Sequence, residues 1–120
     1  MPQAFDPKGP TRYKARFAVF FGTDRQKLMT DYSVNMSTGG IFLETDRILP
    51  VDTPLVVEFM LPGKERPITC NVRVSWTNGP IDLKKQLLPP GMGLQFVDLP
   101  LDQLHAIRDF LNNGELIPTW

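Results

Sequence analysis

Two arginines and a glycine-bearing turn hold the residue types in this chain best suited to gripping an anion. Arg12 and Arg16 lie four residues apart, with Lys14 between them. On a regular strand, residues of equal parity share a face, so the two guanidinium groups would project together about 13 Å apart. That span is too wide for one phosphate and suits a ligand with two anionic or guanine-bearing ends. Arginine is apt because its planar fork pairs bidentately with phosphate or with guanine O6 and N7, and stacks on a base. The second stretch, Asn35-Met36-Ser37-Thr38-Gly39-Gly40-Ile41-Phe42, sets small polar side chains and two glycines between apolar runs. It reads as a recognition turn: Asn and Ser fold back onto the local backbone, the glycines allow positive φ and close ligand approach, and Ile41 and Phe42 anchor the exit in a core. Taken singly, a solvated arginine and a connecting turn are the ordinary reading of such residues.

Composition narrows the chemistry further. At 120 residues the chain makes one domain, long enough to bury roughly two-thirds of its unfolded surface. A single cysteine, Cys70, excludes an internal disulfide, and with a single histidine, His105, no four-ligand zinc site of the usual Cys/His kind is available. Thirteen basic residues balance thirteen acidic ones, so attraction to long nucleic acids is expected to be weak and any anion site local. No apolar run approaches the roughly 20 residues that span a bilayer, and Met1 to Pro7 lacks a basic stretch followed by an apolar one. The expectation is a reduced, cytoplasmic protein with no membrane insertion.

The elements that must position these residues read mostly as strands. Residues 1–10, with Pro2, Pro7, Gly9 and Pro10, are expected to form a flexible arm. From Thr11 to Phe21, Tyr13, Ala15, Phe17, Val19 and Phe21 share one parity, the mark of a half-buried strand. Lys27 to Val34 resumes with Leu28, Thr30, Tyr32 and Val34 in phase, which suggests a hairpin. Gly40 to Thr45, Pro54 to Leu61, Arg66 to Thr77 and Met92 to Val97 complete six strands. Leu55, Val57, Phe59 and Leu61 face inward in the fourth, and Ile68, Cys70, Val72, Val74 and Trp76 in the fifth. Pro62-Gly63-Lys64-Glu65 is a strong turn signal, and 78–90 is a long connection. Leu101, Leu104, Ile107, Arg108 and Leu111 follow helical spacing, with Pro100 near the start and Gly114 past the end, so a helix is expected over about Pro100 to Asn112. The whole is mainly β: a small antiparallel barrel with the helix packed on it or over one end.

Arg12-Tyr13-Lys14-Ala15-Arg16 followed by Asn35-Met36-Ser37-Thr38-Gly39-Gly40 resembles the two-part signature of the PilZ domain family, RxxxR then [DN]xSxxG, and both parts are complete. The resemblance covers about Thr11 to Asn113 and takes in the apolar strand ending near Trp76, the strand Gly93-Leu94-Gln95-Phe96 and the C-terminal helix. It implies a six-stranded antiparallel PilZ-type β-barrel over 11–113, with 114–120 a C-terminal tail. It also implies a non-enzymatic receptor that binds cyclic di-GMP, needs no cofactor beyond that ligand, and relays the signal to an unidentified downstream protein in motility, polarity or biofilm control. Arg12 and Arg16 would then contact phosphates and guanine edges, and Asn35, Ser37 and Gly40 the far side of a guanine or the backbone beside it. Thr11, Lys14 and Gly39 are supporting positions. Some members carry a further arginine where this chain has Thr11, which points here to one ligand per protomer.

Two other readings compete: a PilZ-like adaptor that binds no nucleotide, and a small barrel binding single-stranded nucleic acid through aromatics and a basic groove. Neutral charge and inward-parity aromatics argue against the latter. Trp76 and Cys70 are expected in the core, and His105, Asp102 and Asp109 on the solvent side of the helix. Trp120 is expected to be either a docking anchor or a frayed end. Neither a Ser-His-Asp pattern nor a Walker-type loop is present, so no catalytic residues are assigned.

Overall fold

The computed structural model describes residues 11–24, 26, 29–79, 87–113 and 116–119. The arm expected over 1–10, Lys27 and Leu28, most of the connection after Asn78, Gly114 and Trp120 lie outside the described residues. In chain order the elements are β1 (Arg12–Lys14), β2 (Ala18–Gly22), β3 (Met29–Ser37), β4 (Gly40–Glu44), β5 (Pro54–Phe59), β6 (Ile68–Asn78), β7 (Gly91–Phe96), α1 (Leu101–Asn113) and β8 (Pro118–Thr119). All strand pairings are antiparallel, in the order β2-β5-β6-β7-β4-β3, and a further β2–β3 pairing closes these six into a barrel. β1 continues the sheet on β3, and β8 adds to β1.

Alternating apolar residues fill the barrel, as their period of two requires. Val19 and Phe21 of β2, Leu55, Val57 and Phe59 of β5, and Ile68, Cys70, Val72 and Val74 of β6 are all buried. Phe17, Phe59 and Phe96 stack in series, with ring centres 5.3 Å and 6.3 Å apart. The turn after Leu61 needs its glycine, since Gly63 takes φ +79° and Lys64 N donates to Leu61 O at 3.1 Å. Helix α1 buries Ile107 and Leu111 in the same core while Leu101, His105 and Arg108 face solvent. Its first turn closes through Leu104 N donating to Pro100 O.

Two bulges correct the expected faces. The β3–β4 register slips between Ser33 and Asn35, so Val34 is the extra residue. Ser33, opposite Leu43, and Met36, opposite Ile41, are fully buried, whereas Thr30 and Tyr32, expected in phase with the apolar set, are exposed. The bulge also divides the first expected strand. β2 pairs with β3 before the bulge and β1 after it, leaving Ala15, Arg16 and Phe17 out of the ladder. The Ser33 hydroxyl spans that gap, donating to Ala15 O at 2.6 Å and accepting from Phe17 N at 3.0 Å. Tyr13, Ala15, Phe17, Val19 and Phe21 nonetheless keep their shared inward parity.

The second bulge, between Val74 and Trp76 of β6, moves Trp76 off the core face. Trp76 was expected inside; it lies half-buried on the outer face, opposite Gly93, its ring 5.2 Å from that of Phe42. A Cβ at Gly93 would run into the indole nitrogen, so this glycine is there to let the ring cross its strand. Lys14, Asn35, Phe42, Gly93 and Trp76 consequently form one row across β1, β3, β4, β7 and β6.

Candidate functional site

The stretch expected as a recognition turn is mostly strand. Asn35, Met36 and Ser37 end β3, and only Thr38 and Gly39 turn before Gly40 pairs with Ser37. Parity sends Met36 into the barrel and turns Asn35 and Ser37 to the outer face. The expected positive φ is absent from this turn: among the described residues Gly63 is the glycine with positive φ. Gly40 has a different reason to be glycine, because a Cβ there would collide with the Leu94 carbonyl of β7. Gly39 contributes backbone, its N–H donating to Ser37 Oγ at 3.0 Å and its carbonyl accepting from Phe96 N at 2.9 Å.

Arg12 joins this group from β1. Tyr13 stands opposite Met36 and Lys14 opposite Asn35, so Arg12 falls beside Ser37 on the same outer face. Its Nε donates to Asn35 Oδ1 at 2.7 Å, Nη1 to Ser37 Oγ at 3.2 Å and Nη2 to the Gly40 carbonyl at 3.4 Å. A guanidinium beside an amide demands the oxygen, so the Asn35 NH2 is turned away from Arg12 with no partner among the described residues. Burial pushes the Arg12 pKa down from its usual value, and the group remains a cation because an arginine titrates far above neutrality. Asn35 and Ser37 are themselves buried, so the cluster is a rigid, partly dehydrated plate rather than a set of loose surface chains.

Arg16 is elsewhere. The separation expected from a regular strand does not apply, because Arg16 sits in the irregular link between β1 and β2. Its Nη1 bonds Glu44 Oε1 at 3.1 Å and its guanidinium carbon lies 4.9 Å from the centre of the Tyr32 ring. Thr11 and Lys14 are exposed, and Lys14 N is held by Ile117 O at 2.8 Å. The structure thus unites Arg12, Asn35, Ser37 and Gly40, with Gly39 behind them, and leaves Arg16 on its own cradle.

Sequence reasoning missed Tyr32 and Glu44 as the partners of Arg16, and the Trp76–Phe42 pair along the row from Asn35. One signal for the latter was present: a glycine, Gly93, in an otherwise apolar strand marks close approach by something large. Cys70 is buried in the barrel wall, where burial, helped by the charge of Asp98, pushes its thiol up to about 12. His105, Asp102 and Asp109 are exposed on α1. Among the described residues no helix is long and apolar enough to cross a membrane.

Comparison with known proteins bears on this geometry. A protein-family model described as PilZ domain matches residues 10–113. Among solved structures the chain is similar to the Bacillus subtilis inhibitor of motility (MotI/DgrA), at 19% identity and TM-score 0.69 over 91% of this chain and 53% of that one. It is also similar to the PilZ domain of CeSA from a cellulose-synthesizing bacterium, at 17% identity and TM-score 0.55 over 87% and 97% of the two chains. The chain spans about half the length of the motility inhibitor, and at these identities the likeness is one of fold. No curated protein matches it in a sequence search.

Proposed function

The chain belongs to the PilZ domain family, and from that premise we propose that it is a cytoplasmic receptor for cyclic di-GMP that hands the signal to a partner protein. The observation that carries the reading is the Arg12 fork bonded to Asn35, Ser37 and the Gly40 carbonyl. Residues from two distant stretches, each half of a nucleotide-binding signature, form one plate on the outer face of the barrel.

The division of labour follows from the donors. Arg12 and Arg16 supply positive charge to a dianionic ligand. The Asn35 NH2, freed by Arg12 holding its oxygen, donates toward guanine acceptors, and the Ser37 hydroxyl has a proton to give. The half-buried Trp76, three strands along the row that starts from Asn35, supports the reading as a surface on which a base can stack. The fold likeness to an inhibitor of motility fits a role in motility control.

Calorimetric titration with cyclic di-GMP, followed by amide mapping, tests this. Heat at micromolar ligand with shifts centred on Arg12, Asn35, Ser37 and Gly40 is the expected result; no heat and no shifts would remove the reading. One observation favours a second reading, the adaptor that binds no nucleotide: the Arg12 donors already serve the fold, so the signature could persist for structure alone. Retained function in cells carrying Arg16→Ala, whose side chain holds no such structural post, favours the adaptor.

A further inference from the structure

We propose that Glu44 is an internal competitor for the ligand, storing the Arg16 guanidinium on a cross-strand cradle from which an incoming phosphate must take it. This rests on the receptor reading above. Tyr32 and Glu44 stand directly opposite each other on β3 and β4, and both meet Arg16. The carboxylate accepts from Nη1 at 3.1 Å, and the ring lies beneath the guanidinium at 4.9 Å. One contact fixes the direction of the fork and the other its plane.

The surroundings make this a resting position rather than a ligand-ready one. A cavity of about 140 Å³ beside Arg16 is lined also by Asp31 and Asp46, and Asp31 already accepts from the Thr45 hydroxyl at 2.7 Å. With Glu44 on the guanidinium and two further carboxylates lining the same cavity, the place where Arg16 now stands repels a dianion. The Arg12 plate differs in the groups that face it from β3 and β4: an amide oxygen, a hydroxyl and a backbone carbonyl accept from Arg12, and none of the three is charged. Tyr32 lies three residues before Asn35 on β3, about 10 Å along the strand, and Arg16 springs from the unladdered link between β1 and β2. A swing of its long side chain from one place to the other needs no strand to break. The stored pair is also weakly held, with the two side chains 60% and 44% exposed, so breaking it taxes ligand affinity and not the fold.

Calorimetric titration of the full chain with cyclic di-GMP at low ionic strength, on wild type, Glu44→Gln, Arg16→Ala and the double variant, tests the competitor. Glu44→Gln is expected to bind about threefold tighter, the scale of an exposed ion pair, and the gain should vanish once Arg16 is alanine. Equal or weaker binding by Glu44→Gln, or an undiminished gain in the Arg16→Ala background, overturns the competitor and leaves the receptor standing. Binding by none of the four proteins overturns both.

Discussion

The Nε of Arg12 donates to Asn35 Oδ1 at 2.7 Å, so the cation of the first strand and the amide of the third orient each other before any ligand arrives. Preorganisation of this kind lowers the ordering cost of binding. It also means that one side chain has two jobs, which substitutions can separate.

Arg12→Ala is expected to lose affinity for cyclic di-GMP by about 1–3 kcal/mol, the scale of a bidentate guanine contact. It should also lose about 1–3 kcal/mol of stability, because part-buried acceptors are left unpaired. Arg16→Ala should lose affinity on the same scale and stay within about 1 kcal/mol of wild-type stability, since its ion pair is exposed. Titration together with urea unfolding separates the two; equal destabilisation by both would place the structural role wrongly.

Gly93→Ala puts a methyl group where the Trp76 indole crosses β7. Forced overpacking of this kind costs about 1–3 kcal/mol. Most of that loss should disappear when Gly93→Ala is made in a Trp76→Ala protein, so a double-mutant cycle by thermal unfolding reads a large positive coupling. Additive losses would mean that the ring is not what the glycine accommodates.

Ser33→Ala should be more damaging than its size suggests. The hydroxyl is fully buried and serves both Ala15 O and Phe17 N, so its loss strands two backbone groups. A cost of about 1–3 kcal/mol is expected, with faster amide exchange at Phe17 as the local signature.

Stability should fall with alkali partly because of Cys70. Its thiol is held up to about 12 in the fold against a usual 9.0, so between those pH values the unfolded chain has released a proton that the folded chain keeps. The unfolded state then binds fewer protons, and stability declines as pH rises. Cys70→Ala, less stable at neutral pH for its cavity, should lose less on going from about pH 8 to about pH 10.5. Parallel curves in urea titrations would show that the thiol contributes nothing there.

Much of the barrel was legible because burial imposes a period of two. Leu55, Val57, Phe59 and Leu61 are all buried as their spacing demands, and the helix begins and ends within a residue of its expected limits. What escaped was whatever depends on a bulge. A single extra residue reverses the parity across it, which is why Trp76 was placed on the wrong face and why Tyr32, before its bulge, does not share the face of Met36, after it. Val34 and Ser75 carry no local mark of being extra; only pairing across strands reveals it. The site was legible in part for the same reason: Arg12, Asn35, Ser37 and Gly40 meet, as their motif spacing suggested, while Arg16 departs because the link between β1 and β2 follows the bulge. The short β8 had no apolar alternation to announce it.

That last strand has a consequence for how the molecule is made. Arg12 pairs with Thr119 across β1 and β8, so the earliest and latest described parts of the chain lie side by side. Contacts of such long sequence separation form late. Until β8 docks, β1 keeps an open edge beside Arg12, so the sheet that carries the plate is completed by the contact of longest sequence separation among the described residues.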